Sequence, residues 1–178
     1  MGIWWLGAIA LVVVAAVIVV FNDLVAARNQ VRAAWSDIDV QLTRRHDLVP
    51  QLVAAVQGYA AYERATLTTL TELRTRAVSA ASLADKAEAE GELGKQIDRI
   101  LALQERYPDL KASENFLALQ RELVQIEDHL QYARRFYNGA VRDLNTKIET
   151  FPSLLLARAL AFKPAEFFRS GADQEAPA

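Results

Sequence analysis

The sequence predicts an all-α protein: an N-terminal transmembrane helix continuing into an antiparallel up-and-down bundle of three to four long helices. Three observations carry that expectation. Residues 3–21 form a 19-residue run without charge, an apolar seam with helical spacing follows from Leu24, and turn residues are scarce. Gly and Pro together number 12 in 178 residues, and only six lie between Asn22 and Phe151. That stretch lacks the turns an all-β sandwich or barrel of many short strands requires. With the apolar run set aside, the rest of the chain is about 47% apolar, the ordinary share for a soluble domain.

The run Ile3 to Phe21 spans about 28 Å at 1.5 Å per residue, close to a hydrocarbon core of about 30 Å. Trp4 and Trp5 stand at its leading edge, where indole rings favour the headgroup region. Met1-Gly2 offers no basic n-region and the run is long for a signal-peptide core, so a retained anchor is expected (residues 1–21). Val25-Ala26-Ala27 is the weak cleavage pattern of the rival reading. Arg28 and Arg32 follow the span while no Lys or Arg precedes it. The positive-inside bias then places the N-terminus outside and the bundle in the cytoplasm, with the lipid bilayer contacted through residues 3–21.

The bundle is expected over residues 22–162, with a membrane-proximal stalk at 22–50. Its first seam runs Leu24, Arg28, Val31, Trp35, Ile38, Leu42, Arg45, Val49, Leu52, Val56, Tyr59, Glu63, Thr66, Leu70, Leu73 and Ala77. Twelve of these sixteen positions are apolar, the signature of helix packed on helix. Unbroken phase across Pro50 favours one helix, kinked at the proline, over a reversal there. The small residues Val78 to Ala84 end that helix. A second helix is expected over Asp85–Arg106, with Leu93, Ile97, Ile100 and Tyr107 on one stripe. Tyr107-Pro108-Asp109-Leu110 reads as a turn. Ser113 caps a third helix of about 36 residues, with a seam from Phe116 through Leu130 and Tyr137 to Ile148. Phe151-Pro152 stops it, and Ser153 to Ala161 can form a short amphipathic helix. Residues 163–178 are a C-terminal tail whose end, Ser170 to Ala178, is small, acidic and expected to be disordered.

The chemistry-bearing residues point away from catalysis. Cysteine is absent and the only histidines, His46 and His129, have no partner His at i+3 or i+4, so no metal site is expected. Both read as solvated or shoulder residues. A net charge of −2 offers no footprint for nucleic acid. No phosphate loop, dinucleotide fingerprint or nucleophile set appears, so no cofactor and no enzymatic activity are expected. Asp39 and Arg32 fall on one shoulder of the Ile38 seam, and Asp37 and Arg44 on the other, the pattern of charges flanking a helix–helix contact. Arg45 and Glu63 occupy seam positions. Each needs a partner from another helix or subunit if buried, or else reaches water along an open seam.

The residues also carry a resemblance that covers nearly the whole chain. The blocks are Phe21-Asn22-Asp23-Leu24-Val25, Arg28-Asn29, Ala34-Trp35-Ser36-Asp37-Ile38-Asp39-Val40-Gln41-Leu42, Arg44-Arg45, Asp47-Leu48-Val49-Pro50, Tyr107-Pro108-Asp109-Leu110 and Phe151-Pro152-Ser153. In these the sequence resembles the LemA family of bacterial membrane-anchored helical proteins. It departs from that pattern at Ile126-Glu127-Asp128, usually Thr-Glu-Asn, at Leu154, usually Asn, and at Ala161, usually Gly. The resemblance implies a single anchor, a bundle of long antiparallel helices and the bacterial cytoplasmic (inner) membrane, and it supplies no catalytic residues.

Together these readings give a non-enzymatic, single-pass scaffold of the cell envelope. It is expected to form a homo-oligomer, or to dock an envelope membrane protein such as a protease or remodelling factor, through the 22–50 segment. The residues expected to carry that interaction are Arg32, Trp35, Asp37, Ile38, Asp39, Leu42, Arg44 and Arg45. The second and third helices look too short to cover the stalk as well as the region beyond Pro50, which leaves the Trp35, Ile38 and Leu42 stripe for a neighbouring subunit. The alternative is an enzyme or ligand-binding protein whose site forms only in the oligomer.

Overall fold

Helix α1 runs without interruption from Gly2 to Gln57 and carries Pro50 inside it. It belongs to a computed structural model that describes residues 2–59 and 63–169. After it come α2 (Arg64–Ser79), α3 (Leu83–Leu101), a 3-10 turn (Ala102–Glu105), α4 (Pro108–Lys111), α5 (Glu114–Glu149) and α6 (Ser153–Ala159). No strand occurs among the described residues.

The chain divides into two compact units. The first comprises Met1–Ser36 and Arg135–Phe167. Its α1 segment is long and apolar enough to cross a membrane, and the described large side chains of that span, from Trp4 and Trp5 to Phe21, are exposed except for the half-buried Val20. From Leu24 onward the same helix turns a stripe inward: Leu24, Ala27, Val31 and Ala34 are buried, as are Tyr137, Ala140, Val141, Leu144 and Ile148 of α5. The Trp35 ring meets Tyr137 edge-on with centroids 5.6 Å apart. Lys147 Nζ lies 2.6 Å from Asp23 Oδ1, so α5 runs opposite to α1 here. The chain after α6 is tied down: the Tyr137 hydroxyl donates to the Glu166 carbonyl at 2.9 Å, and Asn145 exchanges two hydrogen bonds with the Ala165 backbone. The near part of the tail is thus ordered, while the expectation of disorder at its far end falls on residues 170–178, outside those described.

The turn ending α6 shows what the departure at Ala161 costs. Ala161 has φ 52°, Phe162 N–H donates to the Ala157 carbonyl and Ala161 N–H to that of Arg158. This double closure puts the residue after the C-cap in the left-handed region, where glycine is the strain-free choice.

The second unit comprises Asp37–Arg134 and Phe168–Ala178. Its core takes Ile38, Leu42, Val49, Leu52 and Val56 from α1, Leu67 and Leu70 from α2, Leu93 and Ile100 from α3, and Phe116 and Leu130 from α5. Gln96 Nε2 donates to the Thr66 carbonyl, while Arg76 pairs with Glu88 and Glu92, so α2 and α3 run in opposite directions. Ser82 caps α3: its hydroxyl accepts from the Asp85 amide at 3.0 Å and donates to the Asp85 carboxylate. Asp85 is therefore the third residue of the helix and not its start, because a serine cap satisfies an amide that would otherwise be orphaned. At the other end α3 stops at Leu101, short of Arg106.

One expectation fails outright. The first helix does not continue to Ala77: α1 ends at Gln57, and Gly58 and Tyr59 form a turn. The seam keeps its phase because α2 buries its own stripe, Leu67, Leu70 and Ala77, with the same period. Phase survives any break whose length suits the repeat. The helix does pass through Pro50 as expected.

Candidate functional site: a buried charge cluster and the cleft beside it

A charge at a seam position has two fates: it reaches water, or it is buried with partners. Arg45 is buried, 4% exposed. Its Nη1 lies 3.5 Å from Glu90 Oε2 of α3, and its Nη2 donates to Glu127 of α5. Glu90 is wholly buried, and its other oxygen sits 2.6 Å from His46 Nε2. A carboxylate can only accept, so Nε2 carries the proton in this arrangement. One carboxylate thus holds two consecutive side chains of α1. Burial pushes the Arg45 pKa down, Glu90 opposes that shift, and the positive charge of Arg134 adds to it. A guanidinium starts so high that Arg45 stays charged at any physiological pH.

Glu127 is the exposed end of the cluster, with 40% of its side chain accessible. It lines a cleft of about 490 Å³ together with Glu88, Glu92, Lys95, Asp98 and Asp128. Gly94 also faces Arg45, with room for a Cβ at an ordinary 3.8 Å from Nη1. Among the described residues no three His, Asp or Glu side chains come together as metal ligands. A buried cluster of Arg45, Glu90 and His46 therefore stands beside an open, mainly acidic cleft.

The residues expected to carry an interaction divide. Arg32, Asp37, Asp39 and Arg44 are exposed, with Asp39 lying 3.9 Å from Lys86. Trp35 is half-buried against Tyr137. Ile38 and Leu42 are buried inside the chain, at 0% and 1% exposure, and Arg45 belongs to the cluster. The stripe is therefore not bare. A 36-residue antiparallel α5 reaches far enough along α1 to bond Asp23 through Lys147. His46 is likewise no solvated shoulder residue, because Glu90 gives it a buried partner. Glu63 finds its expected partner from another element, Arg106 Nη2 at 2.8 Å.

The LemA family model matches residues 34–178, more than three quarters of the chain. The chain belongs to the LemA family. It is 31% identical to Protein LemA of Metamycoplasma hominis, over 84% of this chain and 68% of that protein. It is 27% identical to Magnetosome protein MamQ 2 of Paramagnetospirillum magneticum, over 93% of this chain and 68% of the relative. A third relative, Magnetosome protein MamQ of Magnetospirillum gryphiswaldense, is 24% identical over 83% of this chain.

In this LemA-family chain the Asp47-Leu48-Val49-Pro50 block has a definite physical task. Pro50 has no amide hydrogen, so the His46 carbonyl loses the helical partner four residues on. A buried orphan carbonyl costs stability unless another donor reaches it. Arg74 Nε of α2 supplies that donor at 2.7 Å. The proline opens a socket in α1, and α2 plugs it one residue from Arg45. His46 thereby joins the two features: its side chain bonds Glu90, and its carbonyl receives Arg74. The resemblance marked Pro50 and Arg45 by position. The missed residues, Glu90 and Arg74, lie outside its blocks, although stepping back three from Leu93 along the α3 stripe falls on Glu90.

Proposed function

We propose that this LemA-family chain is a non-enzymatic, membrane-anchored helical scaffold of the bacterial cell envelope. It is held by residues 3–21, with its antiparallel helical bundle in the cytoplasm at the inner membrane. The observation that carries this reading is α1 itself: one helix is exposed and apolar over the span and then buried from Leu24 onward. The cluster supports a structural role, since Arg45, His46 and Glu90 are engaged with one another. The MamQ relatives are named for the magnetosome and not for a reaction. With Ile38 and Leu42 buried, a partner or second copy would meet the stalk on its outer face, at Arg32, Asp37, Val40 and Arg44. A photocrosslinker at Val40, 48% exposed, should capture an envelope membrane protein or a second copy in native membranes. No adduct above that of a labelled buried position would refute docking through the stalk. An alkaline phosphatase fusion at Ala178 should be inactive, and high activity would reverse the orientation.

The alternative, a ligand-binding protein or an enzyme completed by oligomerisation, draws on the open cleft beside Glu127. Native mass spectrometry of protein extracted from membranes separates the two. A retained small molecule lost on Glu127→Lys substitution would favour the alternative.

A further inference from the structure

We propose that the turn after α5 and the outer face of α6 form a second membrane contact, in which Phe151 and Leu155 enter the boundary between headgroups and acyl chains. This rests on the reading of residues 3–21 as a membrane anchor. All residues involved lie in the first unit.

Position along α1 is the first argument. The Trp35–Tyr137 and Asp23–Lys147 contacts show α5 descending along α1 toward the span. Phe151 lies four residues beyond Lys147, about 6 Å further at helical rise. Counting the same distance back from Asp23 reaches Val19, inside the apolar run. Val20 is half-buried, whereas Trp4 to Val19 are all exposed, so protein covers the span first at this level.

Chemistry is the second argument. Around α6 the side chains sort by face: Ala157 is buried, Leu154 and Leu156 are half-buried, and Phe151, Leu155 and Leu160 stay 74%, 61% and 50% exposed. Exposed large apolar groups grouped on one short segment mark an interaction surface. Arg158, exposed and three residues after Leu155, places a cation on the same side, and Lys163 is exposed nearby. Apolar side chains with long cations beside them are the composition of interfacial segments, with the cations reaching back to anionic headgroups. The occupant is therefore a lipid surface, continuous with the lipid already surrounding the anchor.

The absence of cysteine makes the test direct. Single Phe151→Cys, Leu155→Cys, Val17→Cys and Phe136→Cys variants of the full chain carry a nitroxide label in nanodiscs of phosphatidylcholine and phosphatidylglycerol. Collision with oxygen is compared with collision with a polar nickel chelate. Phe136 is the control: it is 55% exposed and apolar, yet eleven residues before Lys147 on α5. Labels at 151 and 155 should favour oxygen several-fold over the label at 136, and approach the ratio at 17. Aqueous ratios at 151 and 155 with a lipid ratio at 17 would overturn this inference alone. An aqueous ratio at 17 would overturn the anchor reading and this inference with it. Low collision with both reagents at 151 and 155 would mean a protein cover and would also overturn it.

Discussion

The socket at Pro50 can be tested by a double-mutant cycle. Arg74→Met keeps most of the side chain's length and apolar stem but removes the donor, so the His46 carbonyl becomes orphaned beside a proline that cannot serve it. Hydrogen bonds from charged groups contribute about 1.5–3 kcal/mol, and orphaning the acceptor falls in the same range, about 1–3 kcal/mol. A loss of about 2 kcal/mol is therefore expected with Pro50 in place. Pro50→Ala restores an amide hydrogen at the correct helical spacing. In that background the carbonyl no longer depends on α2, and Arg74→Met should cost only about 0.5–1 kcal/mol, from lost packing. The coupling energy is then at least about 1 kcal/mol, well above the scatter of independent sites. Urea titration of the four proteins in mild detergent, followed by far-UV circular dichroism, measures it. Equal costs of Arg74→Met in the two backgrounds would refute the reasoning.

Glu90→Ala leaves Arg45 and His46 without their shared buried carboxylate and should cost about 3–5 kcal/mol in urea unfolding. Adding Arg45→Met should recover part of that loss. Ala161→Gly relieves a left-handed alanine and should stabilise by about 0.5–1 kcal/mol, read as a higher urea midpoint. Leu42→Ala should cost about 2–5 kcal/mol as a cavity inside one chain, and light scattering at matched concentration should show no change of mass below the unfolding transition. The Tyr137 phenol is pushed above 10.0 by burial and by the charge of Glu166. Its contribution is full below pH about 10, the unfolded value, and is lost as pH rises through the folded value. Ultraviolet phenolate absorbance should show one tyrosine titrating late, and Tyr137→Phe should remove that step.

Periodicity made the helices legible. In α5 every expected seam position from Phe116 to Ile148 is buried except Ala133, which is half-buried. Arg45 announced a buried partner because a charge interrupted an apolar stripe. What stayed hidden depended on geometry between helices. Glu90 sits among Ala87, Ala89 and Gly91, and only its place on the Leu93 stripe separates it from the exposed Glu88 and the half-buried Glu92. Arg74 lies among other polar residues of α2, and its task exists only because Pro50 empties the His46 carbonyl, 28 residues earlier. The turn at Gly58 was masked by a repeat that both flanking helices obey. Coverage of the Trp35 and Leu42 stripe was misjudged because where α5 lies against α1 is fixed by contacts such as Asp23–Lys147.

That last ion pair also limits how the anchor can respond to bilayer thickness. Across a bilayer, a 19-residue span reaches about 28 Å, slightly less than an average hydrocarbon core. A short span could adapt by sinking, but sinking would carry Asp23 and Lys147 toward the acyl chains, where desolvation costs several kcal/mol per ion. If residues 3–21 span the bilayer as proposed, the pair would act as a collar: the helix would resist sliding inward, and the lipid would thin to meet it. Such mismatch costs fractions of a kcal/mol per ångström and is enough to sort proteins among membranes of different thickness. Lengthening the span by one turn would release that preference without touching a residue outside the bilayer.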